Sequence, residues 1–322
     1  MSTSLLNLNE VLLVKKFLSV ILFVLMIATT ARAAEFEMVE YSAQVKLQWL
    51  KAAGIPEAQK FLELLERPVF FTAENLEDFD RIQMVNSLYQ ELNYAAAIEY
   101  IREKNYLNVM DLACSFSPRG MILAQDGRKV IVGELATVCL IGDYFMDECA
   151  GKKARKKISY EVIPIEDGKI MMENADKFKG KLCIIEQGLM IYLNKDSCGK
   201  MFENIRDILK KHGGCLITSD FVQKKYFTET AAALYGEQNA STLYEETKAV
   251  YSKVLDDELA DDFLQDEQEA MEFLKTHGLR VEKVPLFATT PKLFISDKLS
   301  PAQIQKVNEL AKKDYLWVIT AL

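Results

Sequence analysis

From residue 108 onward, the chain alternates short apolar runs with longer segments of helical periodicity. The apolar runs are Asn108–Leu112, Lys129–Val132, Leu182–Ile185, Cys215–Ser219, Arg280–Val284 and Tyr315–Ile319. Short strands separated by helices indicate βαβ units, in which parallel strands are covered by helices on both faces. The pattern therefore predicts an α/β domain over residues 105–322, built on a mostly parallel sheet flanked by helices.

Two further regions are predicted to be helical. Residues 38–104 carry apolar side chains at three- and four-residue spacing, which is typical of a helical cap that packs on a core. Residues 221–270 are acidic and helical in pattern, and we interpret them as an insertion in the α/β domain. Their aromatic residues are predicted mostly to pack the insertion onto the sheet, with a minority facing a ligand: Phe227, Tyr235, Tyr244, Tyr251 and Phe263.

The first 37 residues allow two interpretations. Lys15-Lys16, the apolar stretch Phe17–Ala28 and the small residues Ala31–Ala33 have the three parts of a secretory signal. Alternatively, residues 1–37 are an upstream extension and the protein proper starts at Met38. We expect a cytoplasmic protein, and the alternative is export or membrane association through the signal-like segment Lys15–Ala33.

Charge and cysteine usage exclude several classes of partner. The net charge of −8 argues against nucleic acid, whose phosphates require a basic surface. The basic run at residues 152–157 is interpreted as a solvated helix face. The chain has no CxxC pair, and Cys183 and Cys215 lie in apolar runs, so we predict reduced, buried thiols and no metal site.

A turn of small residues follows the first predicted strand. Residues 108–120 run from that strand through Ala113, Cys114 and Ser115 to Pro118-Arg119-Gly120. In an open α/β sheet this turn lies at the crevice where nucleotide-like ligands bind. Glu134 ends the next strand, about 20 positions further on, where such folds hold two ribose hydroxyls. Because neither G-x-G-x-x-G nor a Walker lysine is present, the pattern indicates an adenosyl ligand without phosphates.

These motifs resemble the leucine carboxyl methyltransferase-like family of class I S-adenosylmethionine-dependent methyltransferases, which includes bacterial small-molecule O-methyltransferases. The resemblance covers roughly residues 95–320. It rests on the segment from Asp111 to Gly120, on Glu134, on residues 187–193 (QGLMIYL), on the strand that ends at Asp220, and on residues 277–287.

The resemblance implies a seven-stranded, mostly parallel Rossmann-like sheet flanked by helices, S-adenosylmethionine as cofactor and a small-molecule methyl acceptor with a hydroxyl or a carboxylate. It implies that Asp111, Ala113 and Ser115 hold the methionyl end, and that Glu134 holds the ribose. Gln187 would lie on the floor of the site, and residues 164–168 would contact the adenine.

The chain departs from the family pattern at three places. The usual glycines of the first motif are Ala113 and Ser115, and the usual glutamate before Gly188 is Gln187, with Glu186 one residue earlier. The family arginine that holds the methionine carboxylate has no clean counterpart. Arg102 is the first candidate because it is nearer to the first strand, and Arg81 is the other.

A general base is not evident in the sequence. His212 and His277 each precede a glycine and are interpreted as helix-end residues. Tyr192 and Asp220 are the remaining catalytic candidates. Two other functions stay open: a short dehydrogenase, which the missing Tyr-x-x-x-Lys pair disfavours, and a degenerate methyltransferase fold that serves as a binding or scaffold protein and is possibly exported.

Overall fold

The computed structural model describes residues 42–65, 79–252, 266–289 and 291–322. All of them belong to one compact unit, which begins at Ser42. The signal-like segment and the alternative start at Met38 lie outside the described residues, so cellular location stays a prediction. No helix in the described part of the chain is long and apolar enough to cross a membrane.

Seven strands form one sheet in the order β3-β2-β1-β4-β5-β7-β6. The strands are β1 (Asn108–Leu112), β2 (Lys129–Glu134), β3 (Ile158–Val162), β4 (Leu182–Glu186), β5 (Gly214–Thr218), β6 (Leu279–Pro285) and β7 (Tyr315–Ala321). The first five run parallel, and β7 is antiparallel to both β5 and β6. This is the Rossmann-like, mostly parallel sheet that the sequence predicts, and its order reverses between β1 and β4.

The central strands are mainly apolar because helices cover both faces of the sheet. Every residue of β4 is buried, and β1 is buried from Val109 onward. One face packs on α7 (Gly168–Ala175), α8 (Lys195–His212) and α11 (Glu267–Thr276) in a single core that includes Phe202, Phe221 and Trp317. The opposite face packs on α3 (Phe79–Glu103), α4 (Arg119–Gln125) and α5 (Ala136–Cys149).

The N-terminal region is helical, as predicted, over its described residues 42–65 and 79–104. Its helices are α1 (residues 42–53), α2 (Pro56–Leu64) and α3, and the apolar stripe of α3 that includes Ile82, Val85 and Leu88 is buried. The short helix α6 (Lys152–Arg155) carries the basic run, with Lys152 and Lys153 exposed to solvent. The described part of the chain contains no cluster of three or more metal-ligating side chains, and all six cysteines are free.

The predicted insertion is helical over its described part. It consists of α9 (Gln223–Tyr235) and α10 (Glu237–Ser252), and residues 253–265 lie outside the described part. Phe227 packs edge-on against Tyr89 of α3 and against Tyr244 of α10. These aromatic contacts agree with the packing role expected for most of the insertion. The last helix, α12 (Pro301–Lys313), starts with a capping box at Ser300 and precedes β7.

Candidate functional site at the carboxyl edge of the sheet

The turn after β1 adopts a left-handed backbone without glycine. Ala113 and Ser115 have φ values of 48° and 60°, and these are the two positions at which the sequence departs from a glycine motif. A side chain in this conformation costs roughly 1–2 kcal/mol, which is why glycine is the usual choice. The amide of Ala113 donates to the carbonyl of Gly133 over 2.9 Å, which fixes the turn against the end of β2.

We expect Ala113→Gly and Ser115→Gly each to raise the free energy of unfolding by about 0.5–1 kcal/mol, because glycine adopts this backbone without steric cost. Urea denaturation measures the change. Ala232→Gly in α9 is the control and is expected to lower stability by a similar amount, since glycine is unfavourable inside a helix. A loss of stability in both turn variants would show instead that side-chain contacts hold the turn.

Glu134 reaches this turn from the end of β2. One carboxylate oxygen accepts from the amide of Ser115 over 2.5 Å, and the other accepts from the amide of Leu135 over 3.3 Å. The side chain is buried, and this burial raises the pKa of Glu134 to about 7. The hydrogen bonds from the two amides lower the pKa and so oppose part of this rise. The fold therefore brings Glu134, which is predicted to bind the ribose, into contact with the turn that is predicted to hold the methionyl end of the cofactor.

Asp111 and Arg119 form a fully buried ion pair beneath the turn. Both carboxylate oxygens of Asp111 accept from the Arg119 guanidinium, over 2.9 Å and 2.6 Å. The side chains are 0% and 2% exposed, so the pair is removed from water. The third guanidinium nitrogen donates to the side-chain oxygen of Gln187 after β4. Asp111 therefore fixes Arg119, and through Arg119 it joins the loops that follow β1 and β4.

Lys46 of α1 lies against the same loop and was missed by the sequence analysis. Its ammonium donates to the backbone carbonyl of Gln187 over 2.9 Å. Burial lowers the pKa of Lys46, and the positive charge of Arg119 lowers it further, while Asp111 and Asp220 oppose the shift. A signal was present, because helical spacing places Lys46 on the same face as Ala43 and Leu50, which are buried.

The loop after β4 is held by two acids. Asp220 accepts from the amides of Gly188, Leu189 and Met190, over 2.5, 2.8 and 3.0 Å. Glu186 accepts from the hydroxyl of Thr218 over 2.9 Å and from the amide of Leu189 over 3.1 Å. Burial raises the pKa of Glu186 well above its usual range, and the nearby Asp220 raises it further.

This arrangement separates the roles of neighbouring residues. Gln187 faces Arg119 and also donates to the carbonyl of Asn93 over 3.3 Å, whereas Glu186 points to the other face of the sheet. Gln187 is thus the residue that lies beside Arg119.

Asp220, a predicted catalytic candidate, uses both oxygens to hold backbone amides, which is a structural task. Tyr192 is half-buried, and a hydrogen bond joins its hydroxyl to Ser42.

The structure does not bring Arg102 to this edge. Its guanidinium pairs with Asp126 over 2.8 Å and with Glu99 over 2.7 Å. Asp126 lies shortly before β2, at the amino edge of the sheet, so Arg102 lies at that edge as well. Glu134 is at the end of β2 and therefore lies at the opposite, carboxyl edge. Arg81 lies with its guanidinium 5.3 Å from the ring of Tyr235. Lys46 and Arg119, rather than Arg102, are the cations found beside the turn.

The structure also describes the loop predicted to contact the adenine and the two histidines. The loop at residues 164–168 follows β3, and the amide of Ile163 donates to the carbonyl of Glu134 over 3.2 Å, so this loop starts beside the end of β2. His212 is the last residue of α8 and bonds to Asp176, and His277 is the C-cap of α11. The histidines are therefore helix-end residues, as expected.

Comparison with known proteins gives distant structural likenesses only. No family model matches the chain, and no curated protein matches it. The chain is similar to the methyltransferase domain of bacterial CtHen1, with 12% identity, 72% of this chain and 98% of that chain covered, and a TM-score of 0.46.

Two further solved structures are similar at the same level. One is magnesium protoporphyrin IX methyltransferase from Synechocystis PCC 6803 with bound S-adenosylhomocysteine, at 11% identity, 85% and 95% coverage and a TM-score of 0.45. The other is a putative O-methyltransferase from Nostoc punctiforme, at 11% identity, 88% and 72% coverage and a TM-score of 0.42. The fold assignment rests on strand order and register, since likenesses at this level do not establish it.

Proposed function

We propose that this chain is an S-adenosylmethionine-dependent methyltransferase that acts on a small molecule. The observation that carries the proposal is the meeting of Glu134 with the left-handed turn at residues 113–115, where the strand order reverses. Open α/β sheets bind nucleotide-like ligands at this place. The family resemblance of the sequence motifs supports the same conclusion, although membership of the leucine carboxyl methyltransferase-like family stays a prediction.

The carboxylate of Glu134 can accept hydrogen bonds from the ribose of the cofactor. A carboxylate oxygen can accept two hydrogen bonds, and each oxygen of Glu134 uses one for a backbone amide. One acceptor position on each oxygen therefore suits the two ribose hydroxyls. The surrounding apolar side chains strengthen such bonds, since burial reduces competition from water.

The methionyl end fits Lys46 and the turn. The Lys46 ammonium has three N–H bonds, of which one donates to the carbonyl of Gln187. Burial, and then the charge of Arg119, lower the pKa of Lys46, and a ligand carboxylate beside the Lys46 ammonium would compensate its buried positive charge. We assign to Lys46 the role that the sequence suggested for Arg102. Asp111 would act through Arg119, and the backbone at Ala113 and Ser115 would approach the ligand.

When bound, S-adenosylmethionine would supply the electrophilic methyl group. The residues of this chain would bind it, orient it and exclude water, and the acceptor would enter over the ends of β4 and β5. The loop at residues 188–190, held by Asp220, would form the wall between the two ligands. Proximity and alignment of this kind supply a large part of the catalysis of group transfer.

A second candidate is a degenerate methyltransferase fold that binds a partner or ligand without catalysis. The specific observation in its favour is that the acids of the site already have internal partners. Both oxygens of Asp111 bind Arg119, and both oxygens of Glu134 bind backbone amides. The turn also lacks glycine at its two left-handed positions.

Calorimetric titration with S-adenosylhomocysteine tests the proposal. We expect binding in the nanomolar-to-micromolar range, and 5′-methylthioadenosine, which lacks the amino-acid end, should bind about 10–100-fold more weakly. In Lys46→Met this ratio should fall to within a few fold, because the carboxylate loses its cation. Lys51→Met is the matched control, since Lys51 lies on the same helix and is exposed.

Two results would count against these assignments. If the parent protein fails to bind S-adenosylhomocysteine, the degenerate fold becomes the better account. If it binds but Lys46→Met keeps the full preference over 5′-methylthioadenosine, then another group holds the carboxylate and only the role of Lys46 is wrong.

A further inference from the structure

Two cysteines lie side by side in the sheet, at the edge opposite to the proposed cofactor site. Cys183 is the second residue of β4, Cys215 is the second residue of β5, and the two are directly paired in the parallel register. Directly paired residues of neighbouring strands point to the same face of a sheet. Both side chains are buried, at 0% and 1% exposure. The fold therefore holds two thiols next to each other at the amino ends of these strands.

The separation of the two cysteines suits a disulfide. Neighbouring strands lie about 4.8 Å apart, and cysteines joined by a disulfide have Cα atoms roughly 4.4–6.8 Å apart. The thiol of Cys183 donates a hydrogen bond to the sulfur of Cys215, so the two sulfur atoms already face each other. A bond can therefore form between them while the strands stay paired.

Two tyrosine hydroxyls reach the sulfur of Cys215 from outside the sheet. The hydroxyl of Tyr100 on α3 lies 3.9 Å from this sulfur. The hydroxyl of Tyr106, which comes shortly before β1, also bonds to it. The two rings stack 6.3 Å apart, and both residues are only half-buried. Cys215 thus lies directly beneath a pair of side chains that border the solvent.

These contacts make Cys215 the more acidic thiol of the pair. The hydrogen bond from Cys183 lowers the pKa of Cys215 most, and those from Tyr106 and Tyr100 lower it further, whereas burial raises it. Burial raises the pKa of Cys183 well above its usual range. Because the thiolate is the reactive form of cysteine, Cys215 is the nucleophile of the pair and Cys183 is the neighbour that stays protonated.

The other four cysteines show the opposite shift. Burial raises the pKa values of all four, which are Cys114, Cys139, Cys149 and Cys198. An acidic thiol beside a second thiol is the arrangement with which redox-sensing proteins respond to oxidants, because the second thiol resolves the first oxidation product. The pairing and the acidity therefore set Cys215 apart from these four.

The geometry points to Cys183 and Cys215 as a peroxide-sensitive dithiol, which a peroxide converts into a disulfide. In the first step the thiolate of Cys215 attacks an oxygen of hydrogen peroxide, the O–O bond breaks, and the departing hydroxide takes a proton and leaves as water. Cys215 is then a sulfenic acid. In the second step the sulfur of Cys183 attacks that of Cys215, the disulfide forms, and a second water leaves. The two thiols together lose two hydrogens and two electrons, and the peroxide is reduced to water.

The disulfide would join the strands that lead to Gln187 and Asp220, below the two loops of the proposed cofactor site. Tyr100 and Tyr106 would stabilise the attacking thiolate. Disulfides in reducing compartments are mostly transient and serve redox sensing or catalysis, so the free thiols of the structure are the resting state of such a pair. This chemistry requires neither cofactor nor methyl acceptor, so it does not depend on the proposed function.

Mass spectrometry of the folded, full-length chain tests the proposal. The reduced protein is treated with a small molar excess of hydrogen peroxide at neutral pH, its remaining thiols are alkylated, and its proteolytic peptides are analysed. We expect two of the six thiols to be lost and the peptides of Cys183 and Cys215 to be joined. The same treatment in urea should give mixed pairings, because unfolding separates the two strands.

Three variants sharpen the test. Cys183→Ser should abolish the joined peptides and leave Cys215 as a sulfenic acid, which dimedone traps. Cys198→Ser is the matched control, since Cys198 is an equally buried cysteine on α8, and this variant should still form the joined peptides. Tyr100→Phe should slow the oxidation about 3–10-fold, because the thiolate of Cys215 loses one hydrogen-bond donor.

The parent protein alone decides the pairing, so the conclusion does not depend on the folding of a variant. Retention of all six thiols in the folded protein would overturn the proposal. Joined peptides that contain other cysteines as often as Cys183 and Cys215 would overturn it as well. An unchanged rate of oxidation in folded Tyr100→Phe would refute the activation of Cys215 by the tyrosine hydroxyls.

Discussion

Replacing Arg119 by leucine is expected to lower the free energy of unfolding by about 3–5 kcal/mol, because the change leaves the charge of Asp111 buried without a partner. Asp111 is 0% exposed, and its two oxygens bind only Arg119 among the described residues. The same change removes a donor from Gln187, so the loop after β4 should loosen as well. Urea denaturation, followed by circular dichroism, measures the loss.

A second variant separates the ion pair from packing. In Asp111→Leu/Arg119→Leu both charges are gone, so we expect the double variant to be more stable than Arg119→Leu alone. Arg102→Leu is the matched control. Its guanidinium is 41% exposed and pairs with Glu99 and Asp126, so its loss should cost less than about 1 kcal/mol. Similar losses for Arg119→Leu and Arg102→Leu would contradict the assigned role of the buried pair.

Replacing Glu134 by alanine is expected to weaken S-adenosylhomocysteine binding by about 1.5–3 kcal/mol, the scale of charge-assisted hydrogen bonds to hydroxyl groups. Because Glu134 also accepts from the amide of Ser115, alanine would disturb the turn as well. Glu134→Gln keeps an acceptor for that amide but removes the charge. It should therefore keep the turn and still lose part of the affinity. Calorimetry gives both values.

The control for Glu134 is Glu161→Ala on β3. Glu161 lies opposite Gly133 in the sheet and pairs with Lys177 over 2.9 Å, so it is a carboxylate near the same edge without contact to the turn. Its loss should leave affinity unchanged. Full affinity in a folded Glu134→Ala variant would show that Glu134 has only a structural role.

Glu134 also predicts a pH dependence. Its pKa of about 7 lies above the ordinary value of 4.5, and the ionised form is the better acceptor for hydroxyls. Affinity for S-adenosylhomocysteine should therefore rise as the pH is raised through 7, and this rise should be absent in Glu134→Gln. The stability of the unliganded protein changes in the opposite sense. The contribution of protonated Glu134 is fully present below pH 4.5 and is lost as the pH rises through 7.

Much of the site could be predicted from the sequence because its elements are local. The small-residue turn and Glu134 each follow an apolar strand, and their relation depends only on two adjacent βα units. The assignment of Gln187 rather than Glu186 depended on which face each residue occupies. Because side chains alternate along a strand, Glu186 and Gln187 are expected to point to opposite faces, but only the packed sheet shows that Arg119 lies on the face of Gln187.

The cation beside the loop after β4 could not be predicted in this way. Lys46 precedes the turn by more than sixty positions in the printed sequence, and nothing local to α1 indicates the loop after β4. Arg102 lies at the opposite edge of the sheet from Glu134, because nearness in sequence to β1 does not determine which edge a helix end reaches.

The sequence by itself determined six of the seven strands, the helical N-terminal region and the α/β class, because apolar periodicity and turn residues act over a few residues and reflect burial directly. The tertiary structure alone decided that β7 runs antiparallel beside β5, that Lys46 contacts Gln187, and that Asp220 holds the loop after β4. These contacts join segments that are distant in sequence, and they form only after the sheet and its helices have packed.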